Sequence, residues 1–117
     1  KESPPVYGDG KQSRDFTYVD NVVDGTILAS RVPGVGTGDV FNIALGEEHT
    51  VLDLLDQLNQ VMGLSIPPVF KPKRSGDVYR TYADASKAKR LLDWKGTVTF
   101  AEGLRRTVEW FRAHPPA

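Results

Sequence analysis

The helical segment after Thr50 constrains the fold most, because both of its ends and its buried face can be read from the sequence. Thr50 and Asp53 are spaced as a capping box, and Gly63 supplies the stop. Between them, apolar residues recur three and four positions apart, which predicts one buried stripe on a helix: Val51, Leu54, Leu55, Leu58, Val61 and Met62. This pattern requires a layer of other elements to pack against.

The segments around this helix give the chain an α/β order. Residues 4–7 and 15–19 read as short strands, which we expect to pair as a hairpin across Gly8-Asp9-Gly10. Asp20 or Asn21 is expected to cap a helix, which Pro33 and Gly34 stop. Its apolar positions are Val22, Val23, Ile27 and Ala29, the face that such a helix is expected to turn inward.

The second half of the chain continues the alternation. Residues 40–44 predict a strand, 66–70 an extended segment and 84–92 a helix. A last helix starts at Thr99, with Glu102 as its capping-box partner, and runs to about Ala113. Its predicted inner face consists of Ala101, Leu104, Val108 and Phe111. The expected fold is therefore α/β, with short strands and about four helices.

The amino-acid composition argues against several classes of function. The 117 residues fit one domain, residues 1–117, with 39% hydrophobic and 26% charged residues. The 15 basic and 15 acidic side chains cancel, so we expect neither a nucleic-acid nor a membrane partner. There is no apolar run of membrane-spanning length and no cysteine, which is compatible with the cytoplasm.

Several motifs have the spacing or composition of known functional sites but lack the structural context that those sites need. Tyr7 and Lys11 have the spacing of a dehydrogenase pair, but glycines between them predict a turn rather than the helix that such a pair needs. The glycine-rich segment 33–39 follows a helix and precedes a strand, the reverse of a dinucleotide loop. His49 and His114 lack neighbouring donors at ligand spacing, so no metal site is expected.

Two arginines and one carboxylate remain as candidate binding groups. Arg14 follows the glycine turn, and Arg74 precedes Ser75-Gly76-Asp77 in a basic loop. A guanidinium fork can hold two phosphate oxygens, and a carboxylate such as Asp77 can accept hydrogen bonds from a ribose diol. The residues alone leave a second interpretation open, in which these groups form ordinary surface salt bridges.

Several segments, in this order and spacing, resemble one family: "VYGDGKQSRDFTYVDNVVDG", "VFNIALG", "RSGDVYRTYADASKAKRLLDW" and "FAEGLRRTVEWFR". Together they are similar to the C-terminal part of the extended short-chain dehydrogenase/reductases, the NAD-dependent sugar-nucleotide epimerases and dehydratases, with the UDP-glucose 4-epimerase type most similar. The resemblance covers nearly the whole chain. It implies a C-terminal substrate-binding portion of a Rossmann-type epimerase, or a fragment of one.

The resemblance also implies residue roles. Arg14 and Arg74 correspond to arginines that contact the diphosphate of the nucleotide sugar. Phe16 corresponds to an aromatic residue near the nucleotide, and Asp77 to an aspartate on the ribose hydroxyls. Asn21 stands where many relatives have aspartate, and we expect little effect because either residue can cap a helix. Ala44 replaces a common glycine, which weakens the expectation of a close backbone approach.

The family's N-terminal Gly-x-x-Gly-x-x-Gly loop and helix-borne Tyr-x-x-x-Lys have no counterpart in these 117 residues. We therefore expect a chain that neither binds NAD tightly nor turns over substrate alone. In the full-length parent, the resemblance implies that NAD oxidises the sugar at C4 and returns the hydride to its other face. UDP-glucose and UDP-galactose are the expected pair of substrates. The run Gly76-Asp77-Val78 after Arg74 favours an epimerase, because dTDP-glucose dehydratases of the family tend to carry histidine after that glycine.

Two alternatives remain open: a non-catalytic nucleotide-sugar-binding regulatory module, and the C-terminal part of a nucleotide-sugar 4,6-dehydratase. Strand 40–44 in the family joins a large sheet that these residues do not include. We therefore expect a homodimer or strand-exchanged self-association, because an unpaired strand edge invites another chain. A monomer at all concentrations in sedimentation would contradict this expectation.

Overall fold

The computed structural model describes residues 2–35 and 38–115. Within them the chain forms four helices, α1 Val19–Arg31, α2 Val51–Met62, α3 Ser86–Leu92 and α4 Phe100–Ala113. Four short strands accompany them: β1 Pro5–Tyr7, β2 Ser13–Arg14, β3 His49–Thr50 and β4 Val69–Lys71. The predicted α/β class with about four helices is confirmed. Gly36 and Thr37 of the glycine-rich segment lie outside the described residues.

The strands pair over long range, and the predicted hairpin is wrong. β1 pairs in parallel with β4, with Tyr7 opposite Lys71, and β2 pairs antiparallel with β3. The turn after β1 packs instead on the start of α2, where Leu52 N–H donates to Gly10 C=O at 3.1 Å. The first N–H groups of a helix have no partner within it, so they compete for the carbonyls that a hairpin would use.

Helix α2 begins and ends where the sequence predicts, but its predicted buried stripe is only partly buried, and none of its residues is fully buried. The Thr50 hydroxyl accepts from Asp53 N–H at 3.0 Å, and the Asp53 carboxylate accepts from Thr50 N–H at 2.8 Å. Gly63 ends the helix in the left-handed conformation, with φ of 66°. Both caps and the predicted residue range are confirmed, because the signals that set them lie within the segment itself.

Helix α1 presents a different face from the predicted one. Its N-cap is Tyr18, without a side-chain hydrogen bond, so capping by Asp20 or Asn21 is wrong. The buried residues are Asn21 and Gly25, whereas the predicted inner residues Val22, Val23 and Ile27 are 40 to 47% exposed. Gly25 is the contact point, because a Cβ there would lie 2.6 Å from Ile43. Close packing at a glycine overrides the apolar pattern.

Asn21 joins α1 to the segment before α4. It is fully buried; its Nδ2 donates to Val98 C=O at 2.7 Å, and its Oδ1 accepts from Val98 N–H at 3.1 Å. Its own backbone carbonyl accepts from the indole N–H of Trp94 at 3.0 Å. Aspartate and asparagine were expected to be equivalent here because either can cap a helix, and that reason is wrong, since the Asn21 side chain is a buried bridge and not a cap.

The core lies around α3 and the residues that follow it. Ala85, Ala88, Leu92 and Trp94 are all at most 4% exposed. Five partly buried residues pack against this cluster: Leu28, Val32, Val35, Phe41 and Ile43. The helix begins at Ser86, two residues later than predicted, where the Asp84 carboxylate accepts from Ser86 N–H at 2.8 Å.

The predicted strand 40–44 does not form. No strand of the described residues lies beside it, and Val40 is 77% exposed while Ala44 is 6% exposed. Phe41 and Ile43 still reach the core cluster. A strand is defined by ladder hydrogen bonds to a neighbour, and here the segment uses side-chain packing instead. The strand-edge reason for self-association therefore does not apply to this segment.

Helix α4 begins after Thr99 as predicted, but only one half of the predicted capping box forms, and the faces of the helix differ from the prediction. The Thr99 hydroxyl accepts from Glu102 N–H at 3.3 Å. The Glu102 carboxylate accepts from Arg105 and Arg106, which lower its pKa to about 2. Phe100, Gly103 and Val108 are buried, whereas the predicted inner residue Phe111 is 58% exposed. None of the helices in the described part of the chain has the length and apolar character needed to cross a membrane.

Candidate functional site

The strand pairings place residues 71–81 beside residues 5–14. β1 carries β4 on one side, and Gly8 N–H extends that ladder by donating to Lys71 C=O at 2.9 Å. β2 has β3 on one side and residues 79–81 on the other, where Ser13 N–H donates to Tyr79 C=O at 2.9 Å. The segment between these two attachments is the basic loop with Arg74 and Asp77. It is therefore fixed at both ends against the glycine turn.

A tight turn presents Arg74 and Asp77 together. Asp77 N–H donates to Arg74 C=O at 3.4 Å, and Gly76 has a φ of +79°. A positive φ at the third position of a turn favours glycine, because a Cβ would be strained there. The four-residue motif Arg74-Ser75-Gly76-Asp77 therefore acts as one unit that holds a cation and an anion at its two ends.

Arg14 and Asp77 form an ion pair. Arg14 Nη2 lies 2.8 Å from Asp77 Oδ1, and Arg14 Nη1 donates to the Ser13 carbonyl at 2.7 Å. The two side chains are 30 and 31% exposed and 63 residues apart in the sequence. The carboxylate oxygen thus occupies a position where an external anion would also contact this guanidinium.

Arg74 lies against an aromatic ring, and no carboxylate of residues 2–35 and 38–115 forms an ion pair with it. Its guanidinium carbon lies 3.7 Å from the centroid of the Tyr7 ring. Because the N–H donors lie in the guanidinium plane, stacking on the ring leaves them available at its edge. Arg74 and Asp77 line one cleft of about 440 Å³, together with residues of β1, the turn and α2: Pro5, Val6, Tyr7, Gln12, Val51, Ser75 and Gly76.

A second cleft, of about 340 Å³, shares Tyr7, Gln12 and Asp77 with the first. Within it the Tyr79 hydroxyl donates to Asp9 at 3.2 Å. Lys11 N–H donates to the Asp9 carboxylate, and this hydrogen bond lowers the pKa of Asp9. Desolvation and the nearby Asp9 charge raise the pKa of Tyr79.

The Tyr7-to-Lys11 segment is a turn, as predicted from its glycines. Gly8 and Gly10 have φ values of +82° and +74°. The two side chains therefore do not stand one helical turn apart on a common helix face. The Tyr7 ring supports Arg74 instead.

Phe16 lines a different cleft from those that Arg14 and Arg74 line. Its ring centroid is 5.6 Å from that of Phe100, which stacks on His49 at 3.9 Å. It lines a separate, mostly apolar cleft of about 260 Å³ with Tyr18, Gly103 and Leu104 among its walls. Of the four residues singled out from the sequence, Asp77 contacts Arg14 and shares a cleft with Arg74. Arg14 itself lines a different cleft, with Asp15 and Thr17 among its walls, and Phe16 lines a third.

Two residues that the sequence reading missed organise this region. Gln12 is 9% exposed, lines both clefts, and donates from Nε2 to Tyr7 C=O at 2.7 Å. Asp15 accepts from Gly46 N–H at 3.0 Å and from Ala83 N–H at 3.4 Å. Asp15 stands inside the Arg-Asp-Phe motif, which is a signal that was available, whereas no sequence feature marks Gln12.

The family follows from a comparison of the sequence with known protein families. Residues 1–107 match the family described as GDP-mannose 4,6-dehydratase. The chain belongs to this family. The match confirms the resemblance to the extended short-chain dehydrogenase/reductases, with the chain similar to their C-terminal part.

Individual proteins are also similar in sequence to this chain. The chain is 36% identical over 107 residues to a UDP-glucose 4-epimerase of Mycolicibacterium smegmatis, covering 92% of this chain and 34% of that protein. UDP-glucuronic acid decarboxylase 1 of Arabidopsis thaliana is 38% identical over 112 residues, 96% of this chain and 25% of that protein.

A solved structure shows the same fold. The UDP-glucose 4-epimerase of Thermotoga maritima, a structure with UDP-glucose, has a TM-score of 0.89 and 42% identity, over 96% of this chain and 35% of that one. The chain thus spans about a third of the length of the epimerases of the family that it matches.

Proposed function

We propose that this chain is the nucleotide-sugar-binding part of an NAD-dependent enzyme of the UDP-glucose 4-epimerase type. One observation carries the proposal: Asp77 shares a cleft with Arg74 and pairs with Arg14, although the two arginines are distant in the sequence. Two guanidinium groups suit the two phosphates of a nucleoside diphosphate, and a carboxylate suits the two hydroxyl donors of a ribose. A chance surface salt bridge would account for Arg14 and Asp77 but not for the stacked Arg74.

The relatives support UDP-linked sugars as the ligand class. The Thermotoga maritima structure contains UDP-glucose, and the UDP-glucose 4-epimerase of Bifidobacterium longum, with 29% identity and a TM-score of 0.90, was solved with NAD+ and UDP. We propose a UDP-hexose for this chain, with Phe16 contributing beside the nucleotide from its own cleft. The dehydratase alternative draws support from the description of the matched family. The regulatory-module alternative has no observation of its own in its favour.

We propose NAD as the cofactor of a longer protein that contains this chain. The residues present here do not fit that cofactor, because the chain has no Gly-x-x-Gly-x-x-Gly, and Tyr7 and Lys11 flank a turn with two positive φ values. We therefore assign no cofactor-binding or catalytic residue to this chain and expect it to be inactive alone. A homodimer, a cytoplasmic location and the lack of nucleic-acid or membrane partners stay parts of the proposal.

Arg74→Ala is expected to weaken the binding of UDP-glucose about 10- to 100-fold, because a hydrogen bond to a charged group contributes about 1.5–3 kcal/mol. Calorimetric titration of the chain measures this change. Arg90→Ala, which removes an exposed arginine from the last turn of α3, serves as the control and should change affinity less than about twofold.

In the longer protein, the same Arg74→Ala change should leave NAD affinity within about twofold, because Arg74 lies in the proposed diphosphate seat of the sugar nucleotide. An equal loss of NAD and UDP-glucose affinity would contradict the assignment. So would UDP-glucose binding that is unaffected by the change.

A further inference from the structure

We propose that Pro68 and Pro72 close the outer edge of β4 to a second copy of this chain. The inference does not rest on the proposed function. β4 has β1 as its strand partner, and in the described part of the chain no strand lies on its other side. β2, by contrast, has β3 on one side and a bridge from Ser13 to Arg80 on the other. An open strand edge is a template for pairing with another chain, so this edge is a place where copies can associate.

The side chains of β4 favour such pairing more than they oppose it. Val69 and Phe70 are 45 and 54% exposed, and β-branched and aromatic residues are the types that strands prefer. Lys71 is the one charged residue of the strand. β4 therefore combines exposed apolar side chains with an open edge, which is the usual combination at a site of unwanted self-association.

The hydrogen bonds to β1 show which backbone groups of β4 face outward. Val69 N–H donates to Pro4 C=O at 3.0 Å, and Lys71 C=O accepts from Gly8 N–H at 2.9 Å. The C=O and the N–H of one planar trans peptide point in opposite directions, so the carbonyl of residue 68 and the nitrogen of residue 72 point away from β1. Phe70 lies between Val69 and Lys71, so its N–H and C=O point outward as well.

The outward positions are thus 68, 70 and 72, and two of them are proline. Proline has no N–H, so Phe70 supplies the one backbone donor on this edge between residues 68 and 72. Two identical edges pair antiparallel about a two-fold axis, which places residue 68 of one copy opposite residue 72 of the other when Phe70 is at the centre. Neither proline can donate, so only the two Phe70 residues would exchange hydrogen bonds. So few hydrogen bonds do not hold two chains together.

The double variant Pro68→Thr/Pro72→Thr is expected to associate. It restores the missing N–H groups with a residue type that strands favour. Its dimer dissociation constant should be at least about tenfold below that of the wild-type chain, because each restored hydrogen bond contributes a few-fold. Sedimentation velocity over about a hundredfold range of concentration measures this association. Hydrogen exchange locates it: Phe70 N–H should exchange freely in the wild-type chain and be protected in the associated variant.

Pro67→Thr is the matched control. Pro67 is exposed and precedes Pro68, but a new N–H one position along points to the opposite side of the chain. Its dissociation constant should stay within about twofold of the wild-type value. Circular dichroism checks that each variant is folded. If the double variant is not, Pro72→Thr alone replaces it, because Pro72 is exposed, and the expected gain in association is then about threefold.

The proposal is overturned if the double variant, or its single replacement, associates no more strongly than the wild-type chain, or if Pro67→Thr associates equally strongly. A second measurement at high salt separates the prolines from the charges, because Lys71 and Lys73 are exposed on and beside β4 and repel a second copy at low salt. Wild-type association at high salt with a protected Phe70 N–H would show that charge closes this edge and would also overturn the proposal. Other surfaces stay free to form the homodimer proposed above.

Discussion

Replacing Trp94 with alanine is expected to lower the free energy of unfolding by about 3 to 5 kcal/mol, the cost typical of removing a large aromatic side chain from a core. Trp94 is 1% exposed and packs with Ala85, Ala88 and Leu92. Its indole N–H also donates to the backbone carbonyl of Asn21. The total free energy of unfolding of a small domain is about 5 to 15 kcal/mol, so this single change should remove a large part of the stability.

Urea unfolding followed by far-ultraviolet circular dichroism measures this loss without relying on tryptophan fluorescence. The chain has a second tryptophan, Trp110, which is 54% exposed and stacks on His114. Trp110→Ala should cost less than about 1 kcal/mol, because little apolar area returns to water. Equal losses in the two variants would contradict the location of the core around α3.

Asn21→Ala is expected to lower the free energy of unfolding by about 2 to 4 kcal/mol. The change leaves the N–H and C=O of Val98 without their partner in a fully buried position, and an unsatisfied buried group costs about 1–3 kcal/mol. The Trp94 indole would keep its bond to the backbone of residue 21. The loss therefore reports on the side-chain bridge alone.

Asn59 provides a control, because its side chain makes the same pair of hydrogen bonds at a less buried position. Its side chain also donates to and accepts from the backbone of one residue, Ile66, at 3.0 and 3.1 Å, but the bridge is only partly buried. Asn59→Ala should cost at least about 1 kcal/mol less than Asn21→Ala, because water can replace the lost partner. A larger loss for Asn59→Ala, in the same urea experiment, would show that burial does not set the cost.

The sequence predicted those elements whose determinants are local. Helix α2 has its capping box, its apolar stripe and its terminal glycine within 14 consecutive positions, and it forms over the predicted residues. The start of α4 at Thr99 was predictable for the same reason. A side chain that satisfies the first N–H groups of a helix acts over three residues and needs no knowledge of the fold.

The predictions that were wrong concern contacts between residues that are far apart in the sequence. Residues 5–7 find β4 rather than the following strand, and residues 40–44 have no strand beside them. Asn21 reads as a cap, because nothing in the sequence reveals that Val98 lies opposite. The apolar pattern of α1 pointed to its valines, whereas a glycine makes the close contact with Ile43. Periodicity identifies an apolar face but not what covers it.

The candidate site was likewise predictable only in part: its residues could be identified from the sequence, but their contacts could not. Arg14, Arg74 and Asp77 were identified through motif resemblance, and the strand pairings of the fold place Asp77 on Arg14 and in one cleft with Arg74. The direct pairing of Arg14 with Asp77 was not predictable, because a separation of 63 residues carries no spacing rule. The contact of Arg74 with the Tyr7 ring could likewise not be predicted from the sequence, because it depends on β1 lying beside β4.

A crystal structure of the chain with UDP tests the central claim most directly. We expect the diphosphate within hydrogen-bonding distance, about 2.7–3.2 Å, of both the Arg14 and Arg74 guanidinium groups. We also expect the ribose hydroxyls on the Asp77 carboxylate. UDP bound elsewhere, for example on Lys71 and Lys73 with Arg14 still paired to Asp77, would contradict the claim that these three residues form the nucleotide-sugar site.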